Sequence, residues 1–293
     1  MADMPRWFRS ILRRAAALAG TALIGGLLTA SLVRYSPGFN ADERQLDTRI
    51  GQETRARISA EHGGDRQVLR FYLDHLRGML RGNLGVSPSL RQPVTELLVA
   101  RAPVTLGLMG AGVAGGWLLA FALALPSVMA RRQVFSRTAE AINICLLALP
   151  SAAIAVFIFA AGGPVYAIIG LVLFPRVYEY TSNLLRDAYS RPHILAARAK
   201  GLSPARILLR HVLPVCAPEF LALAGISLTM AFGAAIPVET FCDLPGIGQL
   251  AWKAATARDL PLLVTLTMCI AILTQLCLAV SDWAARRFEN VRA

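Results

Sequence analysis

Leu195–Pro214 reads LAARAKGLSPARILLRHVLP. It is too polar to cross a lipid bilayer and too regular to be a slack loop. Ala196, Ala197 and Ala199 favour a short helix with a flat surface. Gly201 can take the left-handed conformation that ends a helix. Ser203 then offers an N-cap, and Pro204 suits the first helical position. Arg206–Val212 continues as a second helix, and Pro214 marks its exit toward the next apolar run. The residues alone leave two readings: a rigid helical corner whose small side chains let a partner approach the backbone, or a solvated basic loop that only sets topology.

Outward from this corner the chain is dominated by apolar runs. It has 293 residues, of which 55% are hydrophobic and 16% charged, against about 25% charged in an ordinary soluble domain. Mean hydropathy is +0.52. A membrane span needs roughly 20 mostly apolar residues. The segments that qualify are Ala15–Val33, Thr105–Met129, Ala139–Ala161, Val165–Leu185, Ala217–Pro237 and Pro261–Ala284, six in all. Pro150 and Pro175 interrupt the third and fourth. The first run follows Arg9, Arg13 and Arg14 as a signal peptide would, but it exceeds the usual h-region of roughly 7–15 residues. It reads as a retained helix.

Net charge is +12, almost entirely from arginine. The arginines sit at the ends of apolar runs: Arg6 to Arg14, Arg131 to Arg137, Arg186 to Arg210 and Arg286 to Arg292. The connections near Gly162–Pro164 and around Lys253 and Arg258 carry little or no charge. By the positive-inside rule both termini are cytoplasmic. No aromatic–basic motif accompanies the arginines, which argues against nucleic acid.

Three regions follow. Residues 1–34 form the cytoplasmic N-terminus and first span. Residues 35–104 form an external loop. Within it Asp65–Leu80 reads as an amphipathic helix, with Val68, Leu69, Tyr72, Leu76 and Leu80 at helical spacing, while Ala41–Gly64 is polar. Residues 105–293 form a five-helix core that carries the cytoplasmic loop 186–214. The stripe Gly107–Ala111–Gly115 suits close helix packing, within the chain or against a partner.

Chemistry-bearing groups are sparse. Cys145, Cys216, Cys242, Cys269 and Cys277 form no CxxC pair. His62, His75, His193 and His211 lack metal-ligand spacing. The residues therefore give no metal site and no hydrolase motif, so no catalytic residue is assigned. There is no G-x-x-x-x-G-K-[ST] phosphate loop. Arg176 and Glu179 lie three apart in the fourth run, where charge marks a pathway or an internal pair. Glu239 either caps the following turn or lines an outer gate.

Ala196, Ala197, Gly201, Leu213 and Pro214 sit in register with the EAA loop of ABC-importer permeases. Leu195 stands where many members carry Glu, but Ala197-Arg198-Ala199-Lys200-Gly201-Leu202 matches the A-R-A-K-G-L string of the peptide branch. Ser36-Pro37-Gly38, Gly82-Asn83-Leu84-Gly85-Val86-Ser87, Pro93-Val94-Thr95-Glu96-Leu97-Leu98, Arg101-x-Pro103-x-Thr105-Leu106, and Glu239-Thr240 with Pro245-Gly246-Ile247-Gly248 are similar to further elements in the same order. The chain thus resembles the dipeptide/oligopeptide/nickel permease family.

The resemblance implies an all-α type I ABC importer permease with six transmembrane helices, N-in and C-in, in a bacterial inner membrane. It implies a second permease, two cytoplasmic ATPases and an external solute-binding protein. ATP and Mg would bind on the ATPases, with no cofactor on this chain. Peptides are the foremost solute. Ala196, Ala197, Arg198, Lys200, Gly201, Leu202, Ser203, Pro204 and Arg206 would form the coupling surface. Arg176, Glu179 and Glu239 are candidates for the pathway or a gate. Those intramembrane charges also keep an ion-coupled secondary transporter as the competing expectation.

Overall fold

A computed structural model describes residues 6–35, 68–129 and 133–290. Asp65–Gln67 of the expected amphipathic helix, the polar stretch Ala41–Gly64, Ser36-Pro37-Gly38, and Arg131 and Arg132 lie outside the described residues. The chain is mostly helical and divides into two compact units, Met1–Arg101 with Leu250–Leu273, and Ala102–Gln249 with Thr274–Ala293.

The first unit contains α1 (Arg6–Tyr35), α2 (Val68–Leu80), a hairpin of β1 (Val86–Ser87) and β2 (Gln92–Pro93), and the first turns of α3 (Val94–Met129). It also takes in most of α10 (Ile247–Thr256) and the first half of α11 (Leu260–Asn290). Ala30, Val33, Tyr72, Leu260, Val264 and Met268 form its core. Of the expected apolar face, Val68, Tyr72 and Leu76 pack on that core together with Phe71 and Met79, whereas Leu69 and Leu80 are exposed, so the buried face is turned from the expected one. The Tyr72 hydroxyl donates to the Leu23 carbonyl at 2.6 Å. His75 Nε2 lies 2.9 Å from Thr265 Oγ1, its ring stacks on Phe71, and burial pushes its pKa below the ordinary histidine value.

Asp259 ties the hairpin to the start of α11. Its Oδ2 accepts from the Ser87 hydroxyl, from Ser89 N at 3.1 Å and from Ser89 Oγ at 2.6 Å. Its Oδ1 accepts from Leu262 N at 3.2 Å, satisfying a backbone donor that the first turn of a helix leaves free. Asp259 is nearly inaccessible, with 3% of its surface exposed. A single carboxylate thus caps a helix and pins a turn.

The second unit holds the rest of α3, α4 (Gln133–Ala148), α5 (Ser151–Ala160), α6 (Val165–Ser190), α7 (Pro192–Ala199), α8 (Pro204–Ile207), a π-helical turn (Leu208–Val212), α9 (Leu213–Phe241) and the last half of α11. α6 and α9 are its central pair, with α4 and α5 packed on α6 and α5 also on α9. The α6 core face is Ile169, Leu173, Phe174, Val177, Leu185 and Ala188, spaced at helical intervals and buried.

α3 packs through Gly112 and Gly116. A methyl at Gly112 would meet Ile169 Cβ at 2.5 Å, and one at Gly116 would meet the Gly170 carbonyl at 2.9 Å. Methyls at Gly107 and Gly115 of the expected stripe meet nothing within 4 Å, so the close approach within the chain uses Gly112 and Gly116 in its place, and the partner reading of the stripe is not engaged by these contacts. Close helix approach is therefore real on α3, on the neighbouring register.

Among the described residues, α1, α3, α11 and the run Pro204–Phe241 contain helices long and apolar enough to cross a membrane. The third expected span differs from a continuous helix. Thr138–Ala148 and Ser151–Ala160 meet at a bend of 103°. Pro150 lacks the N–H that would carry the helix across the junction and holds extended angles, φ −60° and ψ 142°. The fourth expected span is α6, 26 residues or about 39 Å long. It runs through Pro175 unbroken, but Arg176, Glu179, Arg186 and Asp187 make it too charged to rank with the other four.

Candidate functional site

The expected helical corner forms between α6 and α9. α7 begins with Pro192 in its first turn and ends at Lys200. Gly201 has φ +73°. Gly201 N donates to the Arg198 carbonyl at 2.9 Å, and Leu202 N to the Ala197 carbonyl at 3.3 Å. These paired bonds close a helix end through a left-handed residue. Glycine has no Cβ to oppose that conformation, so Gly201 is the residue that permits the turn.

The chain restarts at once. Ser203 takes the cap position with φ −64° and ψ 147°, and Pro204 occupies the first turn. The Ser203 side chain makes no capping bond, so its contribution is its extended backbone and a carbonyl that accepts from Ile207 N at 3.0 Å. Pro214 does not end the second helix. The helix widens into the π turn Leu208–Val212 and continues into α9. Pro214 and Pro218 cannot donate backbone bonds, and a π turn is a local adjustment that lets a helix absorb such gaps.

The corner is anchored from beneath and bare on top. Ile194, Ala197, Ile207 and Val212 are buried. Ala196, Arg198, Lys200, Gly201, Ser203, Pro204 and Arg206 are exposed, and Leu202 is half-buried. The Arg198 guanidinium lies 5.3 Å from the centre of the Tyr189 ring. Arg191 pairs with Asp187 at 3.0 Å, one helical turn apart on the surface. The result is a small, basic projection joined to α6 through the extended residue Arg191 and continuous with α9 through the π turn.

Glu239 sits at the other end of the same helical run, fully buried. Its Oε1 accepts from Thr105 Oγ1 at 2.6 Å, and its Oε2 accepts from Gly248 N at 2.6 Å and Gln249 N at 3.1 Å. Thr105 Oγ1 in turn accepts from Ile247 N at 2.8 Å. The first three N–H groups of α10, free by helix geometry, are thus taken by a buried carboxylate and the hydroxyl it orders. A methyl at Gly246 would fall onto the Glu239 carboxylate. Glu239 therefore stands as a helix cap. Thr105 and Gly246 were visible in the sequence only as members of short motifs, without this role.

Arg176 and Glu179 are exposed on α6, and no ion pair joins them. They share the outer face of α6 with Tyr180 and Asn183, opposite its buried stripe. Among the described residues no group of three or more His, Cys, Asp or Glu could hold a metal ion.

Residues 112–291 match the family described as the binding-protein-dependent transport system inner membrane component. The chain belongs to this family. It is 25% identical over 281 residues to the oligopeptide transport system permease protein AppB of Bacillus subtilis, covering 84% of this chain and 87% of that one. It is 26% identical over 285 residues to the oligopeptide transport system permease protein OppB of Escherichia coli, covering 90% and 92%. The fold is also that of a solved chain in inward-facing MetNI, a methionine ABC transporter, with a TM-score of 0.59 at 19% identity, covering 66% of this chain and 96% of that one. As an inner membrane component with several membrane-competent helices, the protein is a multi-pass transport permease. That membership sets aside the ion-coupled secondary transporter.

Proposed function

We propose that this permease forms half of the pathway of a peptide importer in a bacterial inner membrane, and that the corner Ala196–Arg206 receives the cytoplasmic ATPases. The observation that carries this reading is the corner itself. Its cap is made of backbone bonds through Gly201, its top is exposed, small and basic, and it joins α6 through the single extended residue Arg191 and runs into α9 without a break. A force applied there passes into the two helices that form the centre of the second unit.

In this account Ala196 keeps the surface flat and Ala197 seats the corner from beneath, while Arg198, Lys200 and Arg206 supply charge for acidic groups on the ATPase. Gly201, Leu202, Ser203 and Pro204 fix the angle of the corner. ATP and Mg act on the ATPases, whose closure moves the corner and switches the helix bundle between two arrangements. A second permease completes the pathway, and an external binding protein delivers the solute. Peptides are the solute class because curated relatives such as AppB and OppB are oligopeptide permeases. Both termini lie in the cytoplasm. The exposed face of α6 with Arg176 and Glu179 borders the pathway or the second permease, because charge on a spanning helix does not face lipid.

Gly201→Val in the assembled transporter tests the coupling role. Expected are a permease still present in the membrane, loss of solute uptake, and ATP hydrolysis no longer stimulated by loaded binding protein. Uptake and stimulation equal to wild type would overturn it.

A further inference from the structure

α2 has a second face that the core does not use. Leu69, Leu73 and Leu80 are 58%, 44% and 89% exposed. Arg70, Asp74 and Arg77 are interleaved with them at helical spacing and are also exposed. Soluble amphipathic helices turn apolar residues inward, so this outer face needs an environment that is both oily and charged.

The depth of α2 identifies that environment. Tyr72 reaches the carbonyl of Leu23, and a methyl at Gly26 would meet the Tyr72 hydroxyl at 2.9 Å and its ring at 3.0 Å. Both positions lie inside the membrane-competent stretch Ala16–Tyr35 of α1. The helix therefore packs alongside a span. Between α1 and α2 opens a cavity of about 740 Å³, lined by Leu27 and Tyr35 of α1 and by Leu69, Leu73, Arg70 and Arg77 of α2, among others. Leu28 and Leu32 of α1 are exposed as well.

The charge also suits one particular occupant. Arg77 shares Asp74 at 3.0 Å, and both are largely exposed. Arg70 makes no ion pair among the described residues. Two arginines and one aspartate leave one positive charge beside an apolar groove. A phosphodiester carries one negative charge, and guanidinium groups bind phosphate oxygens in matched pairs.

We propose that the groove between α1 and α2 is a phospholipid site. Arg70 and Arg77 hold the phosphodiester, and Leu27, Leu69 and Leu73 hold the upper acyl chains. The site fixes α2 against α1. The proposal rests on the chain being a membrane permease and is independent of which solute it carries.

The test places p-benzoylphenylalanine at Leu73 in the full transporter, in membranes of phosphatidylethanolamine and phosphatidylglycerol. The sample is irradiated and the permease weighed by mass spectrometry. The expected product is a phospholipid adduct, reduced roughly tenfold when Arg70→Gln and Arg77→Gln are combined and retained in Arg70→Lys. A crosslink to another protein chain, no lipid adduct, or an adduct indifferent to the double substitution would overturn the proposal. So would loss of the adduct in excess inorganic phosphate, which would mark a free-anion site. Should the double variant fail to accumulate, the adduct on the otherwise unaltered protein and the phosphate competition decide. Solute uptake by the irradiated transporter reports the import reading separately.

Discussion

The helical run Pro204–Phe241 ends in two corners built on opposite plans. At its start, the turn at Gly201 is held by backbone bonds alone, its cap residue makes no side-chain bond, and its surface is bare. At its end, the turn before α10 is held by Glu239 and Thr105, both fully buried, bonded to each other and to the helix they cap. The first corner needs no side-chain hydrogen bond to hold its turn and leaves Lys200 and Arg206 exposed to another molecule. The second spends its side chains on the chain itself. A surface that must accept a moving partner gains from a cap that needs no side chain; a fixed joint gains from a buried network.

Glu239→Ala should separate the corners most sharply. It leaves the Thr105 hydroxyl and the Gly248 and Gln249 amides buried without their acceptor. A loss of about 3 kcal/mol or more is expected, read as a lower melting temperature of the purified permease. Gly246→Ala should behave alike, because the added methyl displaces the same carboxylate. A melting temperature equal to wild type in both would break the contrast.

Thr105→Val removes one donor to Glu239 and the acceptor of Ile247 N while keeping the volume. About 2 kcal/mol of destabilisation is expected, and Thr105→Ser, which keeps the hydroxyl, should recover most of it in the same melt.

The exposed corner should respond the other way round. Gly201→Val forces a branched residue to φ +73°, at a cost of about 1–2 kcal/mol. Its melt should shift less than that of Glu239→Ala, while uptake falls far more than the melt implies. Asn at this position tolerates the left-handed conformation, so Gly201→Asn should restore uptake.

Arg198→Ala is the mildest change. It removes the cation above the Tyr189 ring, a contact worth about 0.5–1 kcal/mol at an exposed site. Any loss of ATPase affinity beyond the small melt shift would sharpen the assignment of Arg198 to the partner surface.

The two corners also differ in how far the sequence reveals them. Gly201 and Pro204 announce a break and a restart locally, so the first corner is legible from adjacent residues. The Glu239–Thr105 bond joins positions 134 apart, and nothing near either one names the other. The Ser87–Asp259 bond, 172 apart, is hidden for the same reason. Pro150 is visible as an interruption, but the 103° bend depends on how α4 and α5 pack on α6. Pro214 misleads because the π turn absorbs its missing donor, a choice made by the surrounding helix. α3 is apolar all round, so its sequence carries no stripe to choose between Gly107–Gly115 and Gly112–Gly116, and packing on α6 decides.

The most direct test of the central claim places p-benzoylphenylalanine at Ala199 in one sample and at Asp243 in another, each in the assembled transporter in its membrane. Irradiation should crosslink position 199 to an ATPase subunit, with a yield that changes between ATP-bound and nucleotide-free states, and should give no ATPase crosslink from position 243. An ATPase crosslink at 243, or none at 199 in either nucleotide state, would contradict the account.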